Sequence, residues 1–167
     1  MVLADDSGGR ALTVWLNGPE GHGLYRGRDD DHAFPETAER RASITRDIQA
    51  ATGLDEAALE RLVRTFYATA RQDDVIGHLF DGVGDWEKHI AQISAFWSSV
   101  GLLTGRYHGQ PLAAHLKLPL EPRHFVRWLA LFEATLREVC SPEAAEYLME
   151  KAHRIARSLE LGTAVQH

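Results

Sequence analysis

From about residue 55 to residue 162 the large apolar side chains return every three or four positions, the spacing that gathers them on one face of an α-helix. Asp55 is placed to cap EAALERLVRTFYATARQ, where Leu59, Leu62, Val63, Phe66, Tyr67 and Ala70 share a face. A connector, DDVIGHLFDGVG, leads to WEKHIAQISAFWSSV, whose inner face holds His89, Ile93, Phe96 and Val100 with Trp97 beside them. Room for a short helix follows Pro111. Pro122 suits the first position of RHFVRWLALFEATLREVC, which turns Phe125, Trp128, Leu129, Phe132 and Leu136 to one side. Ser141 and Pro142 restart a helix through EAAEYLMEKAHRIARSLEL, and Gly162 is the expected stop. Upstream, ITRDIQAA predicts a short helix ending at Gly53. No useful stretch alternates as a strand does, so the expected body is all-α.

Residues 1–42 break this pattern. DSGG, NGPEGHG, GRDDD and Pro35 crowd turn formers and charge together, with only Trp15, Leu16, Tyr25 and Phe34 as large apolar residues. They are expected to be a flexible extension to a folded domain at 43–167, with ALTVWL at 11–16 as a strand candidate lacking a partner.

Composition narrows the class. The chain of 167 residues fits one domain, and its net charge of −6 argues against nucleic acid or an anionic membrane surface as partner. The lone Cys140 can form no internal disulfide, no signal-peptide pattern opens the chain, and no apolar run approaches membrane length. A cytoplasmic protein is expected. Dinucleotide-binding GxGxxG, phosphate-binding GxxxxGK and GxSxG motifs are absent, and Cys140 reads as structural.

Chemistry must then come from the histidines and the polar-tipped aromatics. Of nine histidines, His22, His32, His78, His108 and His167 stand in polar surroundings, and His124 and His153 among charged neighbours on helices. His89 and His115 differ. His89 lies on an apolar helix face, and His115 sits in GRYHGQPLAAHLKLPL with Leu112, Leu116 and Leu118 around it. One such histidine is more often a hydrogen-bonded core residue than a ligand. Tyr67 and Trp128 also face inward, and an apolar interior offers few acceptors for four such groups from four segments. A bound polar or metal-containing ligand would explain them. Zinc wants three or four protein ligands, yet the chain has no CxxC, HxxxH or HExxH arrangement, and a non-haem iron site lacks an inward carboxylate. A haem needs only one strong protein ligand, an apolar slot and donors over the other face.

FYATARQDDVIGHLF, DWEKHIAQISAFWSSV, TGRYHGQPLAAHLKLPLEPRHFVRWLALF and AHRIARSL together resemble the group III truncated haemoglobins over roughly residues 55–162. That resemblance implies a two-on-two helical sandwich around one haem b (iron protoporphyrin IX). It implies His115 as the proximal iron ligand and Tyr67, His89 and Trp128 as the distal, ligand-stabilising residues. Phe80, Phe96 and Trp97 match pocket aromatics, and Ile93 and Leu116 stand beside the two histidines in the same expected pocket. Tyr107 matches a position near the haem edge where a hydroxyl reaches a propionate, with Arg106 and Lys117 as weaker candidates for that role. Asp74 and His78 stand where the family commonly carries prolines.

The implied function is binding of O2, NO, CO or peroxide. Two donors, each stabilising a partly anionic ligand by about 1.5–3 kcal/mol, would slow release and suit redox chemistry better than O2 delivery. NO dioxygenation or peroxide reduction would need an electron-donating reductase. The alternative is a non-catalytic sensor or binding module using the same pocket.

Overall fold

The computed structural model describes residues 38–164. The expected strand at 11–16, nearly all of the expected flexible extension, and His22, His32 and His167 lie outside these residues. The described chain is helical and contains no strand. Six α-helices run in order: α1 (Ala38–Thr52), α2 (Glu56–Ala70), α3 (Trp86–Gly101), α4 (Pro111–His115), α5 (Pro122–Val139) and α6 (Pro142–Ala164). A single 3₁₀ turn, Gly77–Phe80, lies between α2 and α3.

The helix starts follow from local chemistry. The Asp55 carboxylate accepts the Ala58 N–H at 2.7 Å and the Asp85 carboxylate accepts that of Lys88 at 3.0 Å, each answering an orphan donor of the first turn. Pro122 opens α5, where its missing N–H is no loss. Ser141 accepts the Ala144 N–H and donates to the Thr52 carbonyl at 2.9 Å, so the start of α6 is tied to the end of α1.

Two boundaries differ from expectation. α1 begins at Ala38, ahead of ITRDIQAA, and buries no residue. AERRA carries good helix formers but no apolar face, so periodicity is blind to it. At the other end α6 runs through Gly162 to Ala164. This glycine is used for space. A Cβ there would stand 2.5 Å from Leu112 Cδ1, so its absence lets α4 lie against α6.

α2 packs on α3, α5 on α6, and α2 meets α5 across the middle. These are two layers of two helices. The joint is aromatic: Phe132 stacks on Trp97 (centroids 4.7 Å, 17°) and on Trp128 (5.1 Å, 8°), and Phe66 meets Phe132 edge-on at 5.7 Å. Phe132, Leu59, Leu62, Leu136 and Leu148 are essentially buried, each removing roughly 1.5–3 kcal/mol of apolar exposure. Helices of this length are marginal alone, so this packing stabilises them.

The connector between α2 and α3 is held by Asp73. One oxygen of its carboxylate accepts the backbone N–H groups of Val75 and Ile76, and the other binds Arg127 of α5 at 2.7 Å. The Arg127 guanidinium holds the Asp73 carboxyl below its ordinary range. Gly77 packs so close to the end of α2 that a Cβ would lie 2.8 Å from the Arg71 carbonyl oxygen. Together they hold the connector that carries Phe80 to the cavity wall.

Candidate functional site

The inner faces of α2, α3, α5 and α6, closed by the 3₁₀ turn and α4, line one apolar cavity. Four expected pocket residues stand on its wall: Phe80, Ile93, Phe96 and Trp97. So do Tyr67, His115 and Trp128. Three helices and two short segments thus bring most of the expected set together.

His115 ends the short α4 and is 2% exposed. Its Nδ1 lies 2.5 Å from the Pro111 carbonyl oxygen, one turn earlier. A carbonyl can only accept, so the partner assigns the proton to Nδ1. Nε2 is left with its lone pair, buried and without a protein partner. Burial pushes the ring's pKa down to about 4, so it is neutral at physiological pH. The result is a single lone-pair nitrogen, oriented by a second hydrogen bond, in an apolar wall.

No group of three or more His, Cys, Asp or Glu residues that could hold a metal ion occurs among the described residues. A bare ion would therefore find too few ligands. A flat apolar macrocycle that brings its own four nitrogens fits the donor set, because it asks the protein for one lone pair and apolar contact. His115 would hold it, and Phe80, Phe96 and Phe125 are placed to pack on it.

Tyr67 is 2% exposed, and burial raises its phenol well above the ordinary range, so the hydroxyl keeps its proton. Four rings hold it edge-on or tilted: His89 at 5.0 Å, Phe66 at 5.1 Å, Phe80 at 5.4 Å and Trp86 at 5.6 Å. His89 is buried behind Tyr67 and lies against Trp86, and is not among the residues on the cavity wall. Its Nε2 has no partner, and burial lowers its pKa to about 4. Trp128 reaches the wall from α5, its ring meeting Phe66 edge-on at 6.0 Å.

Other expectations fall elsewhere. Leu116 is half-buried off the wall, where Leu118 and Leu120 stand instead. Leu116 is the C-cap of α4, about 100° round the axis from His115, and here that step carries its side chain off the wall. Tyr107 is buried against Phe96 at 5.3 Å, with its hydroxyl over Gly109, and does not line the cavity. Arg106 pairs with Glu56 at 2.8 Å in an exposed bridge, and Lys117 is exposed.

Two side chains with a ring nitrogen, Trp86 and His124, were not among the candidates. Trp86 covers Tyr67 and His89, and the Arg71 guanidinium sits 4.0 Å over its ring. Its place three residues before His89, on the same helical face, is a signal the sequence carried. His124, which the sequence places on a helix among charged neighbours, is only 3% exposed and lines the cavity.

No protein-family model matches the chain. Over 109 residues it is 36% identical to "Group 3 truncated hemoglobin ctb" of Campylobacter jejuni subsp. jejuni, a match covering 62% of this chain and 86% of that protein. The crystal structure of the group III truncated hemoglobin from Campylobacter jejuni matches the fold with a TM-score of 0.60 at 34% identity, covering 64% of this chain and 89% of the other.

Proposed function

The chain belongs to the group III truncated haemoglobins and is a haem-binding globin, and from that premise we propose that it holds one haem b through His115 and uses it for redox chemistry on O2, NO or peroxide. The observation that carries the reading is the His115 ring: Nδ1 bonded to the Pro111 carbonyl, Nε2 bare, buried and turned to an apolar cavity. When bound, the haem would be held by His115 and would supply an iron centre able to take a small ligand.

The protein's own residues set how such a ligand would be held. Tyr67, which carries an O–H, and Trp128, which carries an N–H, both line the cavity, whose wall is almost wholly apolar. A charge-assisted hydrogen bond from either stabilises a ligand with anionic character by about 1.5–3 kcal/mol, and two together slow its escape. The phenol's raised pKa keeps it a donor rather than a phenolate. His89, one ring behind, buttresses Tyr67 with Trp86, and its neutral ring adds no charge to the pocket. A pocket that retains its ligand favours chemistry over delivery. Such chemistry needs electrons, and a reductase is the partner it calls for.

The test is spectroscopic. Purified protein titrated with haemin should take up one equivalent and develop an intense Soret band, and His115→Ala should lose most of it. A wild-type protein whose titration gives only the spectrum of free haemin would overturn the haem reading. For the redox role, turnover of NO or peroxide with a reductant should exceed that of free haemin, and equal rates would leave a binding protein.

A further inference from the structure

His124 and His115 both face the cavity with a buried Nε2 that has no protein partner, yet their outer nitrogens are bonded in opposite senses. At His115 a carbonyl accepts from Nδ1. At His124 the backbone N–H of Glu121 donates to Nδ1 at 3.0 Å. A nitrogen that accepts carries no proton, so the neutral ring of His124 has its hydrogen on Nε2. One histidine therefore offers the cavity a lone pair and the other an N–H.

Burial and the nearby Arg123 charge keep His124 on the neutral side. Its donor is then a group that wants an acceptor and has none in an apolar wall, a destabilising arrangement that a native fold tolerates where a ligand answers it. Its place narrows what the ligand group is. His124 lies in the first turn of α5, one turn before Trp128, and its ring meets that of His78 at 5.6 Å. His78 is exposed, so His124 stands where the cavity wall gives way to the surface. Beyond it are Arg123, paired with Glu121, and Arg127, paired with Asp73, so the surrounding charge is nearly balanced and selection rests on the N–H itself. An ionised group on the cofactor's rim would be held at such an edge, half in the wall and half towards water.

We propose that His124 Nε2–H is the protein's hydrogen-bond donor to a peripheral carboxylate of the haem. The proposal rests on the haem reading above. It also explains why neither Tyr107 nor Arg106 is needed there, since the first packs on Phe96 and the second is engaged by Glu56.

The experiment compares two ligands and two proteins by titration, reading tryptophan quenching and Soret growth. The ligands are haemin and its dimethyl ester, which keeps the ring and iron but masks both carboxylates. The proteins are the wild type and His124→Phe. A charge-assisted hydrogen bond predicts that the wild type prefers haemin by about tenfold or more, and that His124→Phe reduces the preference to about threefold or less. A variant that keeps the wild-type ratio overturns the proposal, as does a wild type indifferent to the ester. Should His124→Phe not fold, His124→Asn serves: its amide oxygen can still accept from the Glu121 N–H, but the side chain is too short to put a donor where Nε2 stands. The same collapse of the ratio is expected. A wild type that binds neither ligand fails differently, because it removes the haem reading as well.

Discussion

Tyr67→Phe is the substitution for which structure and function make opposite demands. The ring is 2% exposed and held by four aromatic neighbours with centroids 5.0–5.6 Å away, and phenylalanine keeps all of those contacts. Only the hydroxyl goes. Folding stability should therefore move by less than about 1 kcal/mol, since no cavity larger than one oxygen is made. Ligand release should change far more. The lost donor was pre-positioned in an apolar pocket, where a hydrogen bond to a partly anionic ligand is worth about 1.5–3 kcal/mol, so O2 dissociation should speed up by roughly tenfold to a hundredfold. Stopped-flow displacement of O2 by CO from the ferrous holoprotein measures this directly. Tyr107→Phe is the internal control, because Tyr107 is also a buried tyrosine but stands off the cavity wall. Its dissociation rate should stay within about twofold of wild type, the scale of an effect well below one hydrogen bond. An unchanged rate in Tyr67→Phe, or equal acceleration in both variants, would refute the assignment of Tyr67 as the ligand's donor.

Two further outcomes follow from the same geometry. His89 is buried with its pKa lowered from 6.5 to about 4, so the unfolded chain binds its proton first, and stability is complete above pH 6.5 and lost as pH falls towards 4. In the haem-free protein His89 should account for about 1 kcal/mol of lost stability between pH 7 and 5.5, measured by urea unfolding, and His89→Leu should flatten that part of the profile. Gly77→Ala should cost about 1–3 kcal/mol in the same assay, because its Cβ would lie 2.8 Å from a backbone oxygen that cannot swing aside. A neutral result would mean that the connector re-forms at little cost.

Much of the site was legible because it is local. The spacing from Pro111 to His115 is one helical turn, which already puts the Pro111 carbonyl within reach of the imidazole. The faces of α2, α3 and α5 follow from period 3.6, and Tyr67, Ile93, Phe96 and Trp128 fell on them. Trp86 and His124 lie among charged residues, and sequence neighbours report the wrong side of a helix that begins at the rim of a cavity. Leu116 follows His115 directly, and whether a sequence neighbour shares the wall, as Trp97 does with Phe96, or leaves it, as Leu116 does, is set by packing rather than by adjacency.

What the sequence determined alone is the helical grammar: which segments coil, which face of each is apolar, and that one histidine is framed for a special task. Those properties depend on residues within a turn or two of one another. The tertiary structure decided which side chains share the cavity. It put Leu118, Leu120 and His124 on the wall, drew Tyr107 aside to Phe96, and set His89 one ring behind Tyr67. Amphipathic period says that a residue points inward, and only the packing of one helix on another says what it meets there. The same packing left two buried imidazole nitrogens facing one space with opposite polarity, a lone pair at His115 and a proton at His124.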